Sequence, residues 1–325
     1  MIQSIPQPKL ILVSGDRPQA QPKTKDPADF RWGLVEEFLR SRELSANSRK
    51  AYSRNLREFL NWTDKGLNQI SARDIDRYKE HLKTLPSKRG GTLSTATINQ
   101  YLYSLQSFFR WLTAREYIER DPMLMLEKLK PDPVRSLEWS DDEVKALFEV
   151  LPQREQTLWR DQAMLWILLH GLRASEVAAL NIQDFDGKRL HILEAKDDSV
   201  GTVPLLAEGI EAIENYMNWR VAESLPVDKE LPLLLSHSRN SYGERLGYSG
   251  VYKAVKAIAE LAGVSNSFPH RGRHTMATNL VLRGVDPMLA RQITRHKSEK
   301  SFGRYSKRAL EVEAERQFYQ VFGES

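Results

Sequence analysis

Residues 185–206 read FDGKRLHILEAKDDSVGTVPLL, and here the chain changes its period. Leu190 and Ile192 lie two apart, as do Val203 and Leu205, and the run Asp197-Asp-Ser-Val-Gly201 separates the pairs. Apolar residues at period two on either side of a glycine-bearing loop predict a β-hairpin. Elsewhere apolar residues recur at three- and four-residue spacing, the signature of helices. The expected fold class is mainly α with a small β-hairpin or sheet (α+β).

Upstream of the hairpin, Ser140-Asp-Asp-Glu143 is a helix-start signature. Apolar helices run from there to about Leu180. The longest apolar run, Ala163 to Leu169, is far short of the roughly 18 residues a membrane span needs, and reads as a buried helix. Downstream, helical patterns cover about Glu208–Glu223 and Tyr248–Ala262, return after Pro269 and continue nearly to the end. Farther towards the N-terminus, Pro131 and Pro133 interrupt the chain, so residues 129–138 are expected to be an extended linker.

Residues 28–128 before that linker hold four helical patterns. Phe30, Leu34, Val35, Phe38 and Leu39 mark the first. The second starts at Ser45 or Asn47 and buries Tyr52, Leu56, Phe59, Leu60 and Trp62. The third, capped by Ser71, runs to about Leu85. The fourth starts at Ser94 or Thr95 and carries Ile98, Leu102, Leu105, Phe108, Phe109 and Leu112. Residues 1–27 contain five prolines and read as a flexible leader. The second domain is then 139–325, including a C-terminal helix.

The chain has 325 residues, enough for about two domains of roughly 100–200 residues each. Its net charge of +5 agrees with a polyanionic partner without demanding one. It has no cysteine, which excludes disulfides and thiolate metal sites. With no signal-peptide layout at the start, a soluble cytoplasmic protein is expected.

Basic residues concentrate between His270 and Arg308, where ten Lys and Arg stand against Asp286 and Glu299. The same stretch holds apolar helical positions, so it reads as a folded surface facing phosphate. Gly171-Leu-Arg173-Ala-Ser-Glu176, Lys196 in the hairpin, His270-Arg-Gly-Arg273-His274, His296 and Tyr305 follow one another in that order. Arginine matches phosphate geometry with its planar fork and stays charged. Arg173 and Arg273 can therefore flank one phosphate. An ammonium such as Lys196 can give a proton to a departing alkoxide, and an imidazole near neutrality can take one or bond a phosphate oxygen. Tyr305, with an ordinary pKa of about 10, needs such surroundings to act as a nucleophile.

In these motifs and over nearly its whole length, the chain resembles the tyrosine recombinase (phage integrase) family. The resemblance implies a two-domain, C-shaped DNA clamp and site-specific recombination. On that resemblance Tyr305 is expected to be the nucleophile, forming a 3′-phosphotyrosine and a free 5′-hydroxyl. Arg173 and Arg273 are expected to hold the phosphate, Lys196 to be the general acid, and His270 and His296 to complete the catalytic set. Glu176 buttresses the arginines, and His274 is expected just behind the site. The resemblance further implies strand exchange through a Holliday junction between paired half-sites of double-stranded DNA, on a tetramer assembled from free monomers. No cofactor, metal or membrane is expected.

In two places the chain departs from the family pattern. Thr294-Arg295 stands where Leu-Gly usually precedes the second histidine, and Arg271-Gly272 stands where an apolar residue is usual. Tyr319 is a rival nucleophile. Lys50, Arg54 and Arg57 recur at helical spacing and are expected to face solvent or phosphate, with Thr97, Asn99 and Gln100 as candidate base contacts. The alternatives are relaxation of DNA as by a type IB topoisomerase, a non-catalytic DNA-binding or architectural protein, and a metal-dependent nuclease.

Overall fold

Ser45, Ser71, Ser94 and Ser140 stand ahead of predicted helices, and each is a helix N-cap in the folded chain. The computed structural model describes residues 29–88, 90–130, 138–193, 200–296 and 298–323. Ser45 accepts a hydrogen bond from the Ser48 N–H, Ser71 from Asp74, Ser94 from Thr97 and Ser140 from Glu143. Each satisfies an N–H that the first turn of a helix leaves open. The leader 1–27, the prolines at 131 and 133, and Lys196 lie outside the described residues.

The chain divides into two compact units, Met1–Val134 and Arg135–Ser325, each with its own core. In the first unit, α1 (Phe30–Arg40), α2 (Ala46–Trp62), α3 (Ala72–Thr84) and α4 (Thr95–Ala114) pack around an aromatic centre. The rings of Phe38 and Phe108 lie 5.4 Å apart, and those of Phe59 and Tyr78 lie 4.9 Å apart. Edge-to-face packing of this kind orients as well as buries. Asn55 supplies a buried polar tie, donating from α2 to Ser104 Oγ of α4 at 2.9 Å. Phe30 departs from the expected pattern. It sits at the first position of α1, before the helix meets its neighbours, and is 81% exposed.

The second unit runs through α5 (Asp141–Glu149), α6 (Leu158–Leu169) and α7 (Ala174–Ala179). The strands β1 (Arg189–Ile192) and β2 (Gly201–Pro204) pair antiparallel, Arg189 opposite Pro204 and Ile192 opposite Gly201. Leu190, Ile192 and Val203 point inward, as the alternation requires. Then follow α8 (Ala207–Ala222), α9 (Tyr248–Leu261), α10 (His270–Leu282), α11 (Pro287–Ile293) and α12 (Glu299–Phe322). The protein is thus mostly helical with one small antiparallel sheet among the described residues. No helix among those residues is long and apolar enough to cross a membrane.

Helix α6 is the centre of this unit, with α7, α8, α9 and α10 packed on it. Its Ala163, Met164, Leu165, Ile167 and Leu168 are fully buried. Gly272 lets α10 approach: a Cβ there would stand 2.8 Å from the Leu168 carbonyl oxygen, closer than atoms can pack. This departure from the family pattern therefore sets how near α10 comes to the end of α6, and the site is built where those two ends meet.

Candidate active site

Arg173 immediately precedes α7, and Glu176 lies one turn inside it. The glutamate folds back on the arginine: Arg173 Nη1 donates to Glu176 Oε1 at 2.5 Å, and the Arg173 backbone N–H donates to Oε2 at 2.9 Å. Glu176 also accepts from Arg295 Nη2 at 2.5 Å. Arg273, in the first turn of α10, has no exposed surface. Its Nη1 donates to the Gly171 carbonyl at 2.7 Å, just ahead of Arg173. That bond ties α10 to the turn between α6 and α7. Burial, then repulsion from Arg173, lowers the Arg273 pKa to about 9, which still leaves it cationic at neutral pH.

His296 follows α11, and its hydrogen bonds fix its tautomer. Thr294 Oγ1 donates its only proton to the Ala290 carbonyl at 2.8 Å. It must therefore accept from His296 Nδ1–H, 2.7 Å away. The opposite nitrogen, Nε2, then carries a lone pair facing Arg273 Nε at 3.4 Å. Burial, then the charges of Arg273 and Arg173, push the His296 pKa down to about 3, so the ring is neutral at pH 7. An anion beside these arginines cancels the repulsion and raises that pKa. In 15N-detected NMR, His296 is expected to stay neutral and Nδ1-protonated down to about pH 4 in the free protein, and to titrate nearer its ordinary value of about 6.5 with DNA bound. A ring already cationic at pH 6 without DNA contradicts this geometry.

Tyr305 lies on α12 and is 3% exposed. Its ring centroid is 5.4 Å from that of His296, 5.3 Å from His274 and 5.3 Å from Phe302. His274 in turn meets His270 edge to face at 4.6 Å, so His274 bridges the exposed His270 and the buried tyrosine. The structure brings Arg173, Glu176, Arg273, His274, His296 and Tyr305 together, with His270 at the margin. Tyr319, farther along α12, packs on Phe318 instead.

The basic segment is not one surface. Arg271 turns into the unit, where its guanidinium donates to the Glu138 carbonyl at 2.8 Å and Glu143 Oε2 at 2.6 Å. Arg295 also turns inward, a residue that the sequence marked only as a departure from a pattern.

In the first unit Lys50, Arg54 and Arg57 are exposed along one side of α2 and line a shallow groove with Arg49 and Ser53. The Arg57 guanidinium lies 4.6 Å from the centre of the Trp32 ring. Gln100 is exposed, and Thr97 is half-buried with its hydroxyl against Ser94 Oγ at 2.9 Å. Asn99 is differently placed. Its amide nitrogen donates to the Leu129 carbonyl at 2.9 Å and its oxygen accepts from the Leu129 N–H at 3.1 Å. Both of its polar groups hold the chain that follows α4, which leaves it poorly suited to base contact.

A family model described as phage integrase family matches residues 139–311, and one described as phage integrase, N-terminal SAM-like domain matches residues 34–119. The chain belongs to the phage integrase family. Within this family it is 30% identical to tyrosine recombinase XerC of Roseiflexus castenholzii over 275 residues, 81% of this chain and 85% of that one. Its fold is also that of the Tn1549 transposon integrase in complex with circular intermediate DNA, at 18% identity and a TM-score of 0.67, covering 86% of this chain and 97% of that one. A lambda integrase tetramer bound to a Holliday junction shares it at 15% identity and a TM-score of 0.65, covering 85% and 76%.

Proposed function

We propose that the protein is a site-specific DNA recombinase that cleaves and rejoins strands through Tyr305. The observation that carries this reading is the convergence of Arg173, Arg273 and His296 around one buried tyrosine. The Tyr305 oxygen attacks the scissile phosphorus in line, a P–O bond to tyrosine forms, and the bond to the 5′-oxygen breaks. The phosphate stays on the 3′ side as a phosphotyrosine, and the 5′-hydroxyl leaves free. Arg173 and Arg273 take the charge that develops on the non-bridging oxygens. His296 bonds a phosphate oxygen once the anion has raised its pKa. His270, reaching the tyrosine through His274, accepts the tyrosine proton, and Lys196 supplies one to the leaving oxygen. Attack by a 5′-hydroxyl from a partner strand reverses the step. Ester energy is conserved, so the reaction balances without ATP or metal.

The burial of Tyr305 adds a requirement: α12 must shift for the phosphate to reach the hydroxyl. The remaining family features belong to the same proposal. Both units contribute to binding double-stranded DNA that carries paired half-sites. Monomers assemble there as a tetramer and exchange strands through a Holliday junction. The lambda integrase tetramer bound to a Holliday junction supports this part of the reading through the shared fold. The exposed face of α12, with Leu310, Phe318 and Val321, is available for a neighbouring protomer.

A nicked suicide substrate carrying the target site tests the reading. The expected product is a DNA-linked protein band on a denaturing gel, formed equally in chelator. Site-independent plasmid relaxation with no strand exchange would favour a topoisomerase, and DNA binding with no adduct would sink the proposal.

The α2 residues have their own readout. Removing Lys50, Arg54 or Arg57 is expected to weaken all sequences alike and to flatten the slope of log affinity against log salt by about 0.9 per charge. A variant that loses sequence preference at constant salt slope would instead place that residue on a base edge.

A further inference from the structure

Arg295 occupies the position where the family usually has glycine. Its backbone is left-handed, with φ at +54°, a region that glycine enters freely and arginine does not. Residues persist there when the surrounding structure holds them, and such outliers gather at functional sites. The side chain is 8% exposed and reaches Glu176 on α7. Gly201, at the start of β2, makes room for it: a Cβ there would stand 3.1 Å from Arg295 Cδ. Glu176 is consequently shared, with Oε1 bound by Arg173 and Oε2 by Arg295. Arg295 Nε and Nη1 and Arg273 Nη2 are buried with no hydrogen-bond partner among the described residues. Buried donors without acceptors are costly, and uncompensated positive charge away from water favours an anion.

We propose that Arg295 is a positioning residue for strand cleavage: it fixes Glu176, through Glu176 it fixes Arg173, and it leaves a surplus of buried positive charge that the scissile phosphate neutralises. This role rests on the function proposed above. It explains why a cation is held in a backbone conformation suited to glycine. Bound from two sides, the Glu176 carboxylate cannot swing, so Arg173 meets the phosphate already oriented. It also separates Arg295 from the surface cations of the same segment, whose effect is on DNA affinity.

The test compares wild type, Arg295→Gly, Arg295→Lys, Glu176→Gln and the double variant Glu176→Gln/Arg295→Gly on a nicked suicide substrate. Two quantities are read: the rate of adduct formation at saturating DNA, and DNA affinity. Glycine suits the left-handed backbone, so the Gly variant keeps its fold, and circular dichroism checks this. Its rate is expected to fall about tenfold to a hundredfold with unchanged affinity. The Lys variant recovers part of the rate, and the double variant is no slower than the slower single variant, because both changes break one chain of contacts. A Gly variant as fast as wild type overturns the proposal. So does strict additivity in the double variant, or a loss seen in affinity with the saturated rate unchanged. A wild type that forms no adduct sinks the proposed function itself, so the two failures are distinguishable.

Discussion

Tyr305→Phe is expected to form no covalent DNA adduct, with a loss of more than about 10⁴-fold in cleavage, the scale seen when a covalent nucleophile is removed. The phenylalanine ring keeps the contacts of Tyr305 to His274, His296 and Phe302, so α12 stays packed as it is. Deleting one hydroxyl alters stability by about 1 kcal/mol, too little to unfold the unit. DNA binding therefore survives while chemistry does not. Tyr319→Phe supplies the contrast. Tyr319 is 43% exposed and packs on Phe318, outside the group of arginines and histidines, so its loss leaves adduct formation within about twofold of wild type. Both variants are read on the same gel, and an adduct that persists in Tyr305→Phe excludes this tyrosine as the nucleophile.

Arg273→Lys is expected to slow cleavage roughly a thousandfold despite keeping a formal positive charge. Arg273 makes two contacts at once, to the Gly171 carbonyl and to His296 Nε2, and its third nitrogen, Nη2, remains to meet the phosphate. Lysine presents its donors at a single point and cannot span these positions. The pocket also works against its charge. Burial and Arg173 pull even the arginine down to about 9. A lysine starts lower, near 10.4, so the same surroundings carry it towards neutrality. Lowering the pH protonates it, so the residual activity of the variant should rise between pH 8 and pH 6, where wild type gains nothing from this group. Single-turnover cleavage across that range checks the sign. A lysine variant within tenfold of wild type at pH 8 would mean that Arg273 acts as a plain charge.

Much of the fold was legible in the sequence because its signals are local. Ser71 with Asp74 and Ser140 with Glu143 carry a helix-start signal within four residues, and the period-two stretch around Leu190 and Val203 reads as a strand pair. The candidate site residues stand in the sequence as an ordered set of chemical types. What stayed hidden was direction. Arg271 and Arg295 stand in a run of like charge that reads as one phosphate-facing surface, yet both point inward to carboxylates supplied by distant helices, Glu143 and Glu176. Sequence order carries no trace of those pairings. Asn99 shows the same limit: its amide looks available in the sequence, but the chain after α4 folds back and Leu129 bonds both of its polar groups. The tautomer of His296 depends on which way the Thr294 hydroxyl donates, a fact that exists only in the folded turn.

In the proposed reaction one oxygen, on Tyr305, carries the DNA. Mass spectrometry of the adduct trapped on a suicide substrate, after nuclease and protease digestion, tests it most directly. A nucleotide-modified peptide with the phosphate on Tyr305 is the predicted result. Modification of Tyr319 or of any other residue, with Tyr305 recovered unmodified, would contradict it.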